Sequence, residues 1–199
     1  MTIEPVDFAR IWLWNMKLQG RMCSQVTSFD SELAALVDRM FATMAIHEGI
    51  GLAAPQIGVF QRVAIVHLPR VFDKPQKVIV NPVIISGLGK SQLVEGCLSI
   101  PGDRVNGRVK RFNAVKFSYQ DVTGETHVEE VGGLEARAVQ HETDHLNGLF
   151  FTDHMSMFKR KIILQNHDRA IRQKVGEDLR SYYVTKEEQE AMNGACVGS

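Results

Sequence analysis

The sequence predicts an α+β domain in which several strands, mostly in antiparallel connections, stand between two helices. Three patterns carry this expectation. Leu33, Leu36, Val37, Met40, Phe41 and Met44 recur at helical spacing, and the segments from Arg62 to Val131 are β-branched or alternate apolar with polar residues. A second helical stretch then runs from Leu134 to Asn147.

Taken in order, residues 8 to 18 hold Phe8, Ile11, Trp12, Leu13, Trp14 and Leu18 with few breakers, which suits a helical turn or an extended arm equally. Asp30 is the expected N-cap of the first helix and Gly49 its stop, about four to five turns later. Gly49 to Gly58 is dense in small residues that allow close backbone approach. Its spacing fits neither G-x-G-x-x-G nor a Walker motif, so a phosphate loop is rejected. A tight helix-to-strand connection fits, as does a substrate-facing loop that presents backbone groups and the Gln56 amide.

Arg62 to Leu68 reads as a strand, and Lys77 to Val80 with Val83 to Ile85 as a pair of strands around the Asn81-Pro82 break. Leu93 to Ile100 is strand-like up to the Pro101-Gly102 turn. Val115, Phe117 and Tyr119 alternate with polar residues, and Thr126 to Val131 follows Thr123-Gly124, so the two form a hairpin. Gly132-Gly133 opens the second helix, on which Leu134, Ala138, His141 and His145 share a face, and Gly148 closes it. A basic amphipathic stretch around Lys159 to Lys174 is expected to be helical over about 156–175, and the polar end from Glu187 is expected to fray.

Composition narrows the function classes. The chain has 199 residues, 44% of them hydrophobic, enough for one core. Lys+Arg 23 against Asp+Glu 23 argues against nucleic acid or an anionic membrane as the main partner. No apolar run approaches the ~18 residues of a membrane span, and Glu4 and Asp7 are wrong for a signal peptide, so a soluble, retained protein is expected. Cys23, Cys97 and Cys196 are widely spaced and odd in number, which favours a reducing compartment over a disulfide framework.

The chemistry points to Gln140-His141-Glu142-Thr143-Asp144-His145. Histidines four apart on a helix stack on one face and direct their nitrogens to a common point, and a glutamate beside the first can lean over that point as a general base. A hydrolytic metal site wants a third protein ligand. The longer H-E-x-x-H-x-x-G-x-x-H pattern has Gly148 in register but Phe151 where its histidine should stand. Asp153, His154, His167 and Glu177 downstream, and His67, Cys97 and His127 upstream, remain candidates. Cys97 is distinctive, since a thiolate beside two imidazoles suits Fe(II), Zn(II), Co(II) or Ni(II). Cys23 and Cys196 read as structural.

Three stretches, Gly49-Ile-Gly-Leu-Ala-Ala-Pro-Gln56, Glu95-Gly-Cys-Leu-Ser99 and Gln140-His-Glu-Thr-Asp-His145, resemble in order and separation the three motifs of the peptide deformylase family. The similarity runs from about Val26 to Asp153; the family's Pro-Val-Leu-Arg-like stretch is not recognisable in Asn15 to Gln25. The resemblance implies a small mixed domain with antiparallel sheets wrapped around the motif helix. It implies removal of the N-formyl group from the initiator methionine of nascent peptides in the cytoplasm of a bacterium, or in an organelle. Cys97, His141 and His145 would bind one divalent metal, natively Fe(II), with Zn(II), Ni(II) or Co(II) as replacements. Glu142 would move the proton, and the Gln56 side chain and Leu98 N–H would face the developing oxyanion. Ile50 and Ala138 are expected in an apolar methionine slot, and the backbones of Gly51 and Gly96 along the peptide. Arg104 and Glu95 are expected as supporting or substrate-side positions.

The expected organisation is one catalytic domain over 1–175, with the motifs inside 26–153, and a polar tail over 176–199. A monomer is expected, with formylmethionyl peptides as partners and ribosomal RNA as a docking partner for the basic segment, but no membrane and no sequence-specific nucleic acid. A metallopeptidase cutting internal bonds and a catalytically silent metal module are the competing readings. Intact Glu142 and Gln56 argue against the silent module.

Overall fold

The computed structural model describes residues 8–15, 18–68, 76–173 and 182–195. Helix α1 spans Ser31–Ile46, and the Asp30 carboxylate caps it by accepting from the Glu32 and Leu33 N–H groups at 2.9 and 3.2 Å. Its buried stripe, Leu33, Leu36, Val37, Met40 and Met44, is the one the spacing predicted except for Phe41, which is only partly buried against it. The stop differs. The helix ends at Ile46, and Glu48 rather than a glycine takes the left-handed conformation, at φ 52°.

Strands β2 (Gly51–Ala53), β3 (Val63–Val66), β4 (Lys77–Glu95), β5 (Gly107–Gln120) and β6 (Thr126–Gly132) form one antiparallel sheet in chain order. The pair of strands expected around Asn81-Pro82 is a single 19-residue strand with a register shift between Val80 and Val83. Proline supplies no N–H, so the ladder slips by a bulge there instead of ending. The Asn81 side chain holds the bulge by exchanging hydrogen bonds with the Val26 backbone, both 2.9 Å. The expected hairpin is β5–β6, and the Asp121 carboxylate organises its turn.

Helix α2 (Gly133–Leu146) packs on this sheet and carries the motif histidines. Gly148 follows it at φ 73°, and a Cβ there would lie 2.6 Å from the Arg21 nitrogen, so both conformation and space require glycine. Helix α3 (Met157–Gln173) is the expected basic helix; Ile163 and His167 are its buried residues.

At the two ends of the chain, the N-terminal arm takes the extended one of its two expected forms and the C-terminal tail departs from expectation. The arm is extended: β1 (Ile11–Trp12) pairs in parallel with β7 (Tyr183–Val184). The expected polar tail over 176–199 contains that strand and helix α4 (Lys186–Ala195), which is regular where fraying was expected from Glu187; positions 176–181 and 196–199, with Cys196, lie outside the described residues. Composition hid a capping box at its start. The Thr185 hydroxyl accepts from the Glu188 N–H at 3.3 Å, and the Glu188 carboxylate accepts from the Thr185 N–H at 2.8 Å.

Candidate metal centre

Helical periodicity places His141 and His145 one turn apart on α2, with their Nε2 atoms 3.2 Å from each other. Cys97 Sγ stands 3.4 Å from His145 Nε2. The thiol comes from the connection after β4, where the Ile100 N–H donates to the Cys97 carbonyl at 2.9 Å. It therefore sits in a turn, not in the strand-like segment the sequence suggested. A tight turn can project a side chain toward a helix that a strand would carry past.

These three donors fit a metal. With metal–nitrogen bonds of about 2.0–2.1 Å and a metal–sulfur bond of about 2.3 Å, a tetrahedral centre separates two nitrogens by roughly 3.3 Å and nitrogen from sulfur by roughly 3.5 Å. The observed separations lie close to both. The electrostatics agree. Burial pushes the His145 imidazole well below its usual range, with the neighbouring His141 charge adding to the effect, so it stays in the neutral, ligating form. Burial also opposes charge on His141, but hydrogen bonds to Cys97 and Glu95 outweigh it and push the group up to about 10.

The other candidate ligands go elsewhere. Asp153 accepts from Phe150 N–H at 2.8 Å, His154 pairs with Asp144, His167 faces the Pro101 carbonyl, and His127 lies by Asp121 on the hairpin. Cys97, His141 and His145 are the cluster that converges on α2. Glu177 lies outside the described residues. Phe151, in place of the metalloprotease histidine, is fully buried and stacks on the His141 ring at 6.5 Å.

Glu142 is buried beside the ligands, and its Oε2 has no hydrogen-bond partner within the described protein. Burial pushes its carboxyl up to about 7, against the pull of His141 and Arg111. Gly51 faces it closely: a Cβ on Gly51 would lie 2.9 Å from the Glu142 Cδ. The Gln56 amide is locked by Oε1 accepting from the Ala53 N–H at 2.9 Å, which turns Nε2 toward Ser99 Oγ at 3.3 Å and Cys97 Sγ at 3.5 Å. Cys97, His141, Glu142, Gly51 and Gln56 line one cavity of about 500 Å³, whose walls also include Ile50, Gly96, Leu98 and Ala138.

The match to known proteins decides the family. Residues 10–161 match the model of the polypeptide deformylase family. The chain belongs to that family. As a peptide deformylase it is a hydrolase that removes the N-formyl group from nascent peptides. The peptide deformylase of Heliobacterium modesticaldum is 49% identical over 128 residues, covering 64% of this chain and 81% of the relative. That of Helicobacter pylori is 43% identical over 149 residues, covering 73% and 84%. Among solved structures, the Legionella pneumophila peptide deformylase superposes with a TM-score of 0.80 at 35% identity, covering 86% of this chain and 99% of that one. The Ehrlichia chaffeensis peptide deformylase in complex with actinonin does so with a TM-score of 0.77 at 31% identity, covering 85% and 99%.

Around the deformylase site lies a buried ion network that sequence reading largely missed. Glu95 Oε2 meets His141 Nδ1 at 3.1 Å; Arg111 donates to Glu95 from Nε at 2.7 Å and Nη2 at 3.0 Å, and Arg137 donates to the same carboxylate. Arg111 Nη1 continues to Asp144 at 2.7 Å, and Asp144 to His154 at 2.6 Å. Burial alone would raise the Glu95 carboxyl, but the hydrogen bonds from His141 and Arg111 hold it well below the carboxylate range. A signal existed for Arg111. It shares strand parity with buried Val109, Val115 and Phe117, so it is a cation on an apolar face. Arg104 departs from expectation: it is exposed at φ 59° and lines a separate groove with Arg108 and α3 instead of the metal cavity.

Proposed function

We propose that Cys97, His141 and His145 hold the one divalent metal on which deformylation by this chain depends, Fe(II) in the cell, with Zn(II), Ni(II) or Co(II) as substitutes. A metal bound there would supply Lewis acidity to the formyl group and would lower the pKa of the attacking water. Glu142 takes the proton from that water and passes it to the departing amine, a role suited to a carboxyl poised near neutrality with one oxygen unengaged. Gln56 Nε2 and the Leu98 N–H donate to the oxygen as charge develops on it. A donor of this kind is worth roughly 10²–10³ in rate.

Ile50 and Ala138 bound the methionine slot, and the backbones of Gly51 and Gly96 run along the peptide. Gly96 suits this, since a Cβ there would meet nothing within 4 Å. Arg104 takes no part, because it faces another groove. The observation that carries the reading is the thiol at 3.4 Å from His145, with the unengaged Glu142 oxygen beside the same cavity. We place the enzyme in the cytoplasm as a monomer whose exposed Lys159, Lys161, Arg169 and Arg172 on α3 approach ribosomal RNA.

The test is formate release from formyl-Met-Ala-Ser by protein purified anaerobically with iron, beside hydrolysis of the unformylated peptide. Release from the first substrate alone is expected, and cleavage of the second would support an internal peptidase. Glu142→Ala should keep stoichiometric metal while losing turnover; loss of metal would mean that Glu142 has another role.

A further inference from the structure

The family match ends at residue 161, yet β7 and α4 beyond it are tied to the arm that touches the catalytic turns. Gln189, on α4, has no exposed surface. Its Nε2 donates to the Leu13 and Val184 carbonyls, both at 3.0 Å, and its Oε1 accepts from Asn15 Nδ2. One carboxamide thus joins β1 to β7 past a pairing of only two residues per strand, which by itself is marginal. An Arg10–Glu188 ion pair at 3.0 Å adds a second tie.

The arm meets both turns that carry the proposed oxyanion donors. The Trp14 N–H donates to the Ser99 carbonyl at 2.7 Å, in the turn that carries Cys97 and Leu98. The Trp12 ring lies over Gly58, where a Cβ would come within 2.6 Å of it, at the end of the 3-10 turn Ala54–Ile57 that carries Gln56. The bond from Gln56 Nε2 to Ser99 Oγ links the two turns in front of the arm.

We propose that Gln189 is a positioning residue for deformylation: by seating the arm, it holds Gln56 and Leu98 in register with the developing oxyanion. This rests on the reading of those two groups as oxyanion donors. A displacement of about 1 Å in such a site can lower the rate by roughly 10²-fold, so partial loosening should act on kcat. The methionine slot draws on Ile50 and Ala138, which the arm does not hold, so KM should stay.

The experiment compares full-length, metal-loaded wild type with Gln189→Glu, which keeps the shape but loses the donor, and Gln189→Met, which keeps the length without polarity. With formyl-Met-Ala-Ser, well below each variant's Tm, kcat is expected to fall about tenfold while KM stays within about twofold. In a Gln56→Ala background the same change should reduce kcat by a smaller factor, because a group it orients is already gone. If Gln189→Glu does not fold, Gln189→Met carries the comparison. A lowered Tm with unchanged kcat would make Gln189 a stabiliser only and overturn the proposal, as would full additivity with Gln56→Ala. Undiminished kcat in the single Gln56→Ala variant would remove the oxyanion reading itself, and the proposal with it.

Discussion

Replacing Glu95 by Gln tests the ion network at its centre. The substitution keeps shape and one acceptor oxygen but removes the charge that Arg111 and Arg137 share; the Arg111 and Glu95 side chains are 3% and 6% exposed. Arg111 then keeps Asp144 as its carboxylate, while Arg137 keeps the Val109 and Ser91 carbonyls and the Ser91 hydroxyl. Breaking a buried ion pair by removing one partner destabilises by about 3–5 kcal/mol, and the retained oxygen and Asp144 put this case near 3. With a urea m value of about 2 kcal/mol/M, the unfolding midpoint should fall by roughly 1.5 M. The second effect is on the metal. His141 Nδ1 loses its carboxylate partner, and removing such a partner lowers metal affinity about 10–100-fold. Urea titration followed by circular dichroism and competition against a chromophoric chelator measure the two. A midpoint shift below about 0.3 M with unchanged metal affinity would refute the reasoning, because neither the buried charge balance nor the orientation of His141 would then depend on Glu95.

Cys97→Ala should abolish tight metal binding, read as metal per chain after dialysis; retained stoichiometric metal would return attention to the downstream ligands. Gly51→Ala should displace the Glu142 carboxylate, lowering kcat about 10²-fold with metal retained, since the new Cβ would lie 2.9 Å from the Glu142 Cδ. Burial pushes the Cys23 thiol up to about 11, with Arg62 and Arg21 pulling the other way. Because the folded value lies above the unfolded one, this contribution to stability is complete below pH 9 and is lost as pH rises from 9 through 11. The urea midpoint of wild type should therefore fall more between pH 8 and pH 10 than that of Cys23→Ala.

Short-range patterns were legible in the chain. The α1 stripe, its Asp30 cap, the β5–β6 hairpin and the helix bearing His141, Glu142 and His145 each depend on spacings of two to four residues, which local backbone geometry imposes wherever the segment ends up. The third ligand was of another kind. Residue types made Cys97 a good candidate, but its sulfur reaches His145 across a separation of 48 residues, and only the packing of α2 against the connection after β4 brings them together. The same holds for Arg111, whose partners come from β4 and α2, and for Arg104, which a left-handed backbone turns toward α3.

What the sequence determined by itself was therefore the chemistry: two imidazoles and a carboxylate in metal-site order on one helix face, with a thiol, a glutamine and small-residue turns available to complete them. Tertiary structure decided which thiol, carboxylate and amide stand beside that face. It also decided that the ends of the chain pair with each other behind it, since parallel pairing of β1 with β7 and the burial of Gln189 are contacts between residues more than 170 apart, which no local pattern encodes.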